Sequence, residues 1–475
     1  MRAIRRRSEW PEVGWRSGLA YGLAPHGVGC RAKIVRSMRR AWERLSDGLG
    51  FGTSRAWPGA LAAAAAGMKS ATMLLLFAGL AWSQPRYDLL LKQGHVIDPA
   101  NRIDGVMDIA VAGGKIARVA ANIPAGEARK VIDAQGLYVT PGLIDLHAHV
   151  FGYSGSLNPD DSALPAGTTT IVDAGGAGWR TFDEMLEGVI RPSKTRVLSL
   201  INIVGHGMTG QAFEDNVADM DSEKTAAKII ERRAHIVGIK TAHFGGYGWA
   251  AIDRAVAAGN LAKVPVMVDD KIFTLTGRTS KEKLLSKLRP GDMHTHVFND
   301  RQLEVVDRYS GKVQPYVLEA RARGVLFDLG HGGGSFLWPV AAKAMAQGFY
   351  PDTISTDLHS SSIMMAESDM PNCISKMLNL GMPLQGAILR STVNPAKAIG
   401  RYPEIGTLSE GQIADIAVFR LKTGVFAFKD AWQHKDLGTQ KLESVLTVRA
   451  GELVFDMEGR GFPEWDKAGK YEVIR

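Results

Sequence analysis

Between residues 139 and 402 the chain alternates eight times between a short apolar run closed by a polar residue and a segment whose apolar residues recur at helical spacing. That rhythm restricts the fold more than any other feature. A repeated strand–helix unit buries the apolar stripe of each helix on a parallel sheet, and eight units close into a (β/α)8 TIM barrel of the α/β class. The runs end at His149, Asp173, Asn202, Lys240, Asp269, His296, Asp328 and Asp357, with amphipathic stretches at 181–190, 222–234, 248–258, 281–288 and 339–347. Such a barrel keeps its chemistry at the carboxyl ends of its strands, which is where these polar side chains gather.

Residues 86–138 read differently, as short strands punctuated by Gly94, Gly105, Gly113, Gly114 and Gly136, and residues 403–458 have the same texture. The two ends are expected to form one small β-sandwich domain flanking the barrel, leaving 459–475 as a tail.

The net charge of +8 suggests a polyanion partner until it is located. Residues 1–67 hold twelve basic and four acidic side chains, 12 − 4 = +8, and the remainder holds 57 − 12 = 45 basic against 49 − 4 = 45 acidic. The folded body is near neutral, so no nucleic-acid partner is expected. Residues 1–67 are read as an upstream extension, because a secretory pattern begins at Met68. Lys69 supplies the positive start, Ala71 to Trp82 is apolar, and Ala81-Trp82-Ser83 ends in small-x-small. A signal peptide over 68–83 implies export, with no membrane span left after processing. The body has one cysteine, Cys373, and so no internal disulfide.

The chemistry is concentrated in Thr140-Pro-Gly-Leu-Ile-Asp-Leu-His-Ala-His149. Alternation along a strand points His147 and His149 to one side, which makes half of a metal site. With Gly167-Thr-Thr-Thr170, Gly238-Ile-Lys240, Asn394-Pro-Ala-Lys-Ala-Ile-Gly400 and Gly411-Gln-Ile-Ala-Asp415, this stretch resembles the metal-dependent amidohydrolase superfamily over Tyr87 to Asp456. The likeness is greatest to its dihydroorotase-like and D-aminoacylase-like branch, which includes hydrolases of acylated hydroxy acids.

That resemblance implies two divalent metals, zinc by default. His147 and His149 would hold the more buried one, a carbamate on Lys240 would bridge both, and His296 would serve the second. Asp269 stands where the family has a histidine, with His294 a less favoured substitute for His296. Asp357 would touch a metal and act as the catalytic base and acid, so that a hydroxide bridging the metals attacks the carbonyl of an amide, cyclic amide or ester. His331, in the glycine-rich loop Gly330 to Ser335, is expected to contact a small-molecule substrate together with Asn202, His243 and Tyr247. Two alternatives compete, a mononuclear deaminase of a heterocycle and a non-catalytic binding relative. Substrate identity stays open, as does homo-oligomerisation.

Overall fold

In the computed structural model the described residues are 85–269, 277, 280–299 and 305–469. The extension over 1–67 and the signal peptide over 68–83 lie outside them.

The first strands are β1 (Tyr87–Asp98), β2 (Ile103–Ala112), β3 (Lys115–Ala120), β4 (Ala128–Asp133) and β5 (Tyr138–Pro141). The barrel strands follow as β6 (Leu143–Ala148), β7 (Thr168–Gly178), β8 (Arg196–Asn202), β9 (Ile236–Ala242), β10 (Val266–Asp269), β11 (Met293–His294) and β12 (Leu326–Phe327). The chain ends with β13 (Ile416–Lys429), β14 (Lys435–Arg449) and β15 (Glu452–Asp456).

Strands β6 to β12 pair in sequence order, all parallel. The eighth position is filled by extended chain rather than a regular strand. Asp328 bridges Thr353 on one side and Ala148 bridges Leu358 on the other. The amides of Leu329 and Gly332 donate to Thr353 O and Thr356 O, and those of Asp357 and His149 donate to His147 O and Leu358 O. Residues 353–358 therefore close the barrel, and Asp357 stands beside the first strand rather than seven strands away. Apolar residues from each of β6 to β11, among them Leu146, Val172, Leu200, Val237, Met267 and Met293, join a cluster with Ala396, Ile399 and Ile405, so the barrel is filled.

The helices fall where the apolar spacing placed them, and short polar side chains start several of them. Asp221 accepts from the amides of Glu223 and Lys224 at the head of Ser222–Glu231, and Ser280 does so from Lys283 at the head of Lys281–Ser286. Both chain ends supply the second domain, an eight-stranded mixed sheet in the order β15-β14-β13-β5-β1-β2-β3 with β4 beside β1. Asp415, from the Gly411-Gln-Ile-Ala-Asp415 motif, joins the two bodies. Its carboxylate takes hydrogen bonds from Arg196 of β8 at 2.5 Å and Arg449 of β14 at 3.1 Å. No helix among the described residues is long and apolar enough to cross a membrane.

Candidate metal centre

His147 and His149 leave β6 together and meet Asp357 from the closing segment. His149 Nε2 lies 2.9 Å from Asp357 Oδ1, and His147 Nε2 lies 3.6 Å from the same oxygen. All three side chains are buried. Donor atoms about 2.0–2.1 Å from a tetrahedral zinc sit roughly 3.3 Å from one another, and the two separations straddle that value.

The protonation states suit a metal as well. His147 Nδ1 is 2.8 Å from Thr295 Oγ1, whose hydroxyl donates to Asp328 Oδ2 at 2.8 Å. The proton of His147 is thereby held on Nδ1, and the lone pair of Nε2 faces the cluster. Burial, with Lys240 adding to it, pushes His147 down to about 3, so the ring is neutral. Burial opposes ionisation of Asp357, but His147 and His149 overcome it and hold the carboxyl well below its usual range. His149 Nδ1 is buried without a hydrogen-bond partner among the described residues. Two imidazoles and one carboxylate form a donor set that fits a divalent ion.

Around this triad the remaining strand ends pair with one another. Lys240, fully buried, puts Nζ 3.1 Å from His147 Nε2 and 3.7 Å from Met267 Sδ. Asp269 Oδ2 is 3.1 Å from His296 Nε2, and His296 Nδ1 donates to Gly330 O at 2.6 Å. Burial works against a charge on His296, yet Asp269 outweighs it and raises the ring to about 9. Its two nitrogens thus face acceptors, Asp269 Oδ2 and Gly330 O. Among the described residues a single ligand cluster forms, His147, His149 and Asp357.

The expectation of two metals bridged by a carbamate on Lys240 is corrected accordingly. The lysine is a donor facing His147, and the two residues assigned to the second metal form a buried ion pair.

The other expected residues are dispersed. His243 reaches inward, with Nδ1 2.9 Å from Glu214 Oε2 and Nε2 3.5 Å from Asp269 Oδ2. Asn202 secures its own loop, accepting from the Val204 amide at 2.9 Å and donating to Gly175 O at 3.4 Å. Tyr247 is 82% exposed. His331 is fully buried and spends its nitrogens on Gly332 O and Lys376 Nζ, each at 2.8 Å. His294 is buried, pushed down to about 4 by that burial, and both its nitrogens lack partners among the described residues.

Sequence reasoning missed Tyr153, Glu214 and His359. Tyr153 stacks on His149 at 4.3 Å between centroids, and burial, then Asp357, Asp269 and Glu214, push its phenol up to about 12. Its signal was its place four residues past His149, in the loop after the first barrel strand. His359, two residues past Asp357, donates from Nδ1 to Asp357 O at 2.8 Å.

Asp357, His296 and His243 all have left-handed backbones, with φ of 49°, 61° and 55°. A non-glycine residue there costs about 1 kcal/mol or more, and three on one rim mark a site that the surrounding packing over-determines. A cavity of about 650 Å³ opens at the opposite end of the barrel, lined by Arg233, Asn260, Arg289 and Lys397, but no histidine lines it. Chemistry, not volume, locates the site.

Models of the amidohydrolase family match residues 130–197 and 338–451, which include both ends of the ligand set. The deacetylase Atu3266 of Agrobacterium fabrum is 33% identical over 331 residues, covering 66% of this chain and 78% of the relative. The chain belongs to the amidohydrolase family. Two solved structures share the amidohydrolase architecture. An adenine deaminase has a TM-score of 0.72 at 27% identity, covering 78% of this chain and 100% of the other. A dihydroorotase has 0.67 at 28%, covering 78% and 99%. This amidohydrolase is a metal-dependent hydrolase, with His147, His149 and Asp357 placed to hold the metal.

Proposed function

We propose that this amidohydrolase uses one divalent metal, held by His147, His149 and Asp357, to hydrolyse the C–N bond of a small acyl amide. The observation behind the single metal is the ion pair between Asp269 and His296, which occupies the groups a second metal would need. When bound, the metal supplies Lewis acidity, drawing electron density from water and from the scissile carbonyl so that water can attack near neutral pH.

The protein side of the reaction follows from the geometry. Asp357 turns Oδ1 towards the two histidines, and its Oδ2 lies against Gly332. Oδ2 is the oxygen that takes the proton from the attacking water and returns it to the departing nitrogen. Lys240 and the cationic His296 set a positive potential beside His147, where negative charge develops on the carbonyl oxygen. Tyr153, stacked on His149, keeps its proton and screens the ligand from solvent.

The acyl amide is supported by the deacetylase likeness, which spans most of both chains. A second reading, deamination at an amidine carbon of a heterocycle, is favoured by the likeness to the adenine deaminase. Metal content per chain, measured on protein purified without chelators, is expected near one and unchanged in Lys240→Met. Two metals falling to one in that variant would overturn the single-metal reading. Product analysis separates the substrates: carboxylate from N-acyl compounds supports deacylation, and ammonia from adenine moves the assignment to deamination.

A further inference from the structure

The helix Met370–Asn379 carries a lysine for which neither the metal nor the fold gives a reason. Lys376 is fully buried, and among the described residues no carboxylate lies within ion-pair distance of it. Glu367, Asp369 and Asp430 act on it only from farther away, and burial pulls its amine down to about 8. An uncompensated buried ammonium is costly, and replacing it by an apolar side chain of similar size generally does not destabilise. Among the described residues its Nζ makes two hydrogen bonds, to Ala366 O at 3.2 Å and to His331 Nε2 at 2.8 Å.

The second bond determines a tautomer. An ammonium has only donors, so Nε2 of His331 must accept, and the ring proton sits on Nδ1. From there it donates to Gly332 O at 2.8 Å. The Gly332 amide in turn donates to Thr356 O at 2.9 Å. Gly332 adopts φ of +56°, and a Cβ on it would overlap Asp357 Oδ2. Its Cα is thus the wall against which the proton-carrying oxygen rests. His331 is itself clamped, stacked on Phe336 at 4.7 Å between centroids with a 16° tilt.

We propose that Lys376 is a positioning residue for Asp357, acting through the tautomer of His331 and the backbone of Gly332. The chain runs from a barrel helix to the catalytic aspartate without touching metal or substrate. Without the ammonium the His331 ring can carry its proton on Nε2, Gly332 O loses its donor, and the wall behind Asp357 loosens. The proposal rests on reading Asp357 as ligand and proton carrier.

The test uses full-length protein labelled with 15N in its histidines, and Lys376→Met. Two-bond 1H–15N spectra of the metal-free wild type should show His331 protonated on Nδ1, and the variant should gain the Nε2-protonated form. Zinc affinity, read by competition with a chelating dye, should weaken about tenfold in the variant, the scale of one lost charge-assisted hydrogen bond. kcat should fall by a similar factor with KM within about twofold, and the melting temperature should not drop, a split that a merely structural lysine would not produce. A wild-type His331 protonated on Nε2 or on both nitrogens overturns the proposal even if the variant does not fold. An unchanged tautomer and unchanged zinc affinity in a folded variant also overturn it. Neither readout needs a substrate, so failure of the acyl-amide assignment is scored separately.

Discussion

Placing a methyl group behind the aspartate is the sharpest perturbation of this site. In Gly332→Ala the new Cβ falls well inside the contact distance of about 3.5 Å from Asp357 Oδ2, so something must move by roughly 1 Å. The peptide of Gly332 is held on both sides, its amide by Thr356 O at 2.9 Å and its carbonyl by His331 at 2.8 Å. Asp357 can yield only by giving up the 2.9 Å contact of Oδ1 with His149, because its backbone is pinned at φ 49° and its carbonyl by His359. The left-handed φ of +56° adds about 1–2 kcal/mol against alanine. A displacement of about 1 Å at a reacting group costs on the order of 100-fold in rate, equivalent to about 2.7 kcal/mol of barrier. Activity should therefore fall by about two orders of magnitude while the protein stays folded. The assay is kcat/KM on the acyl amide beside a thermal melt, with Gly333→Ala as control. At Gly333 a Cβ meets nothing nearer than 3.6 Å, so that control should behave as wild type. If Gly332→Ala retains more than half the activity, or loses it only in proportion to unfolding, Asp357 is not held as described.

Four further outcomes are expected. His149→Ala should lower metal content from about one per chain to near zero, read by atomic emission, because it removes one of three ligands. Asp269→Asn leaves the buried His296 without its anion and should cost about 3–5 kcal/mol in a denaturant titration. The same pair sets a pH dependence. His296 is raised to about 9, so its stabilisation is complete below an unfolded value of about 6.5 and is lost as pH rises through 9. The melting temperature of metal-free protein should fall over that range, and a flat profile, or an equal slope in Asp269→Asn, would count against the ion pair. Asp415→Ala strands Arg196 and Arg449 at the junction of barrel and sheet and should destabilise by about 3–5 kcal/mol without changing KM, checked by melting and kinetics.

What the sequence made legible was position along the chain, and what it hid was partnership across it. Strand period and the polar residue closing each run placed His149, Lys240, Asp269, His296 and Asp357 on one rim, and the structure puts all five there. The closing segment 353–358 was counted as a strand although it makes only isolated bridges. The error did no harm, because closure needs its hydrogen bonds and not its regularity. The metal site, by contrast, turned on how the strand ends pair. An imidazole just past β11 can be a ligand or a carboxylate's partner, and here Asp269, ending the neighbouring β10, stands 3.1 Å from it. Asp269 stands where a ligand is expected, and its position makes it the partner of His296. His331 went astray for the same reason. Its glycine-rich loop signals an exposed backbone, but the side chain turns to Lys376, forty-five residues on and invisible to any local pattern. Side chains that hold a site together choose partners by distance in the fold, so their roles become readable only once the barrel has brought distant strand ends within a hydrogen bond of one another.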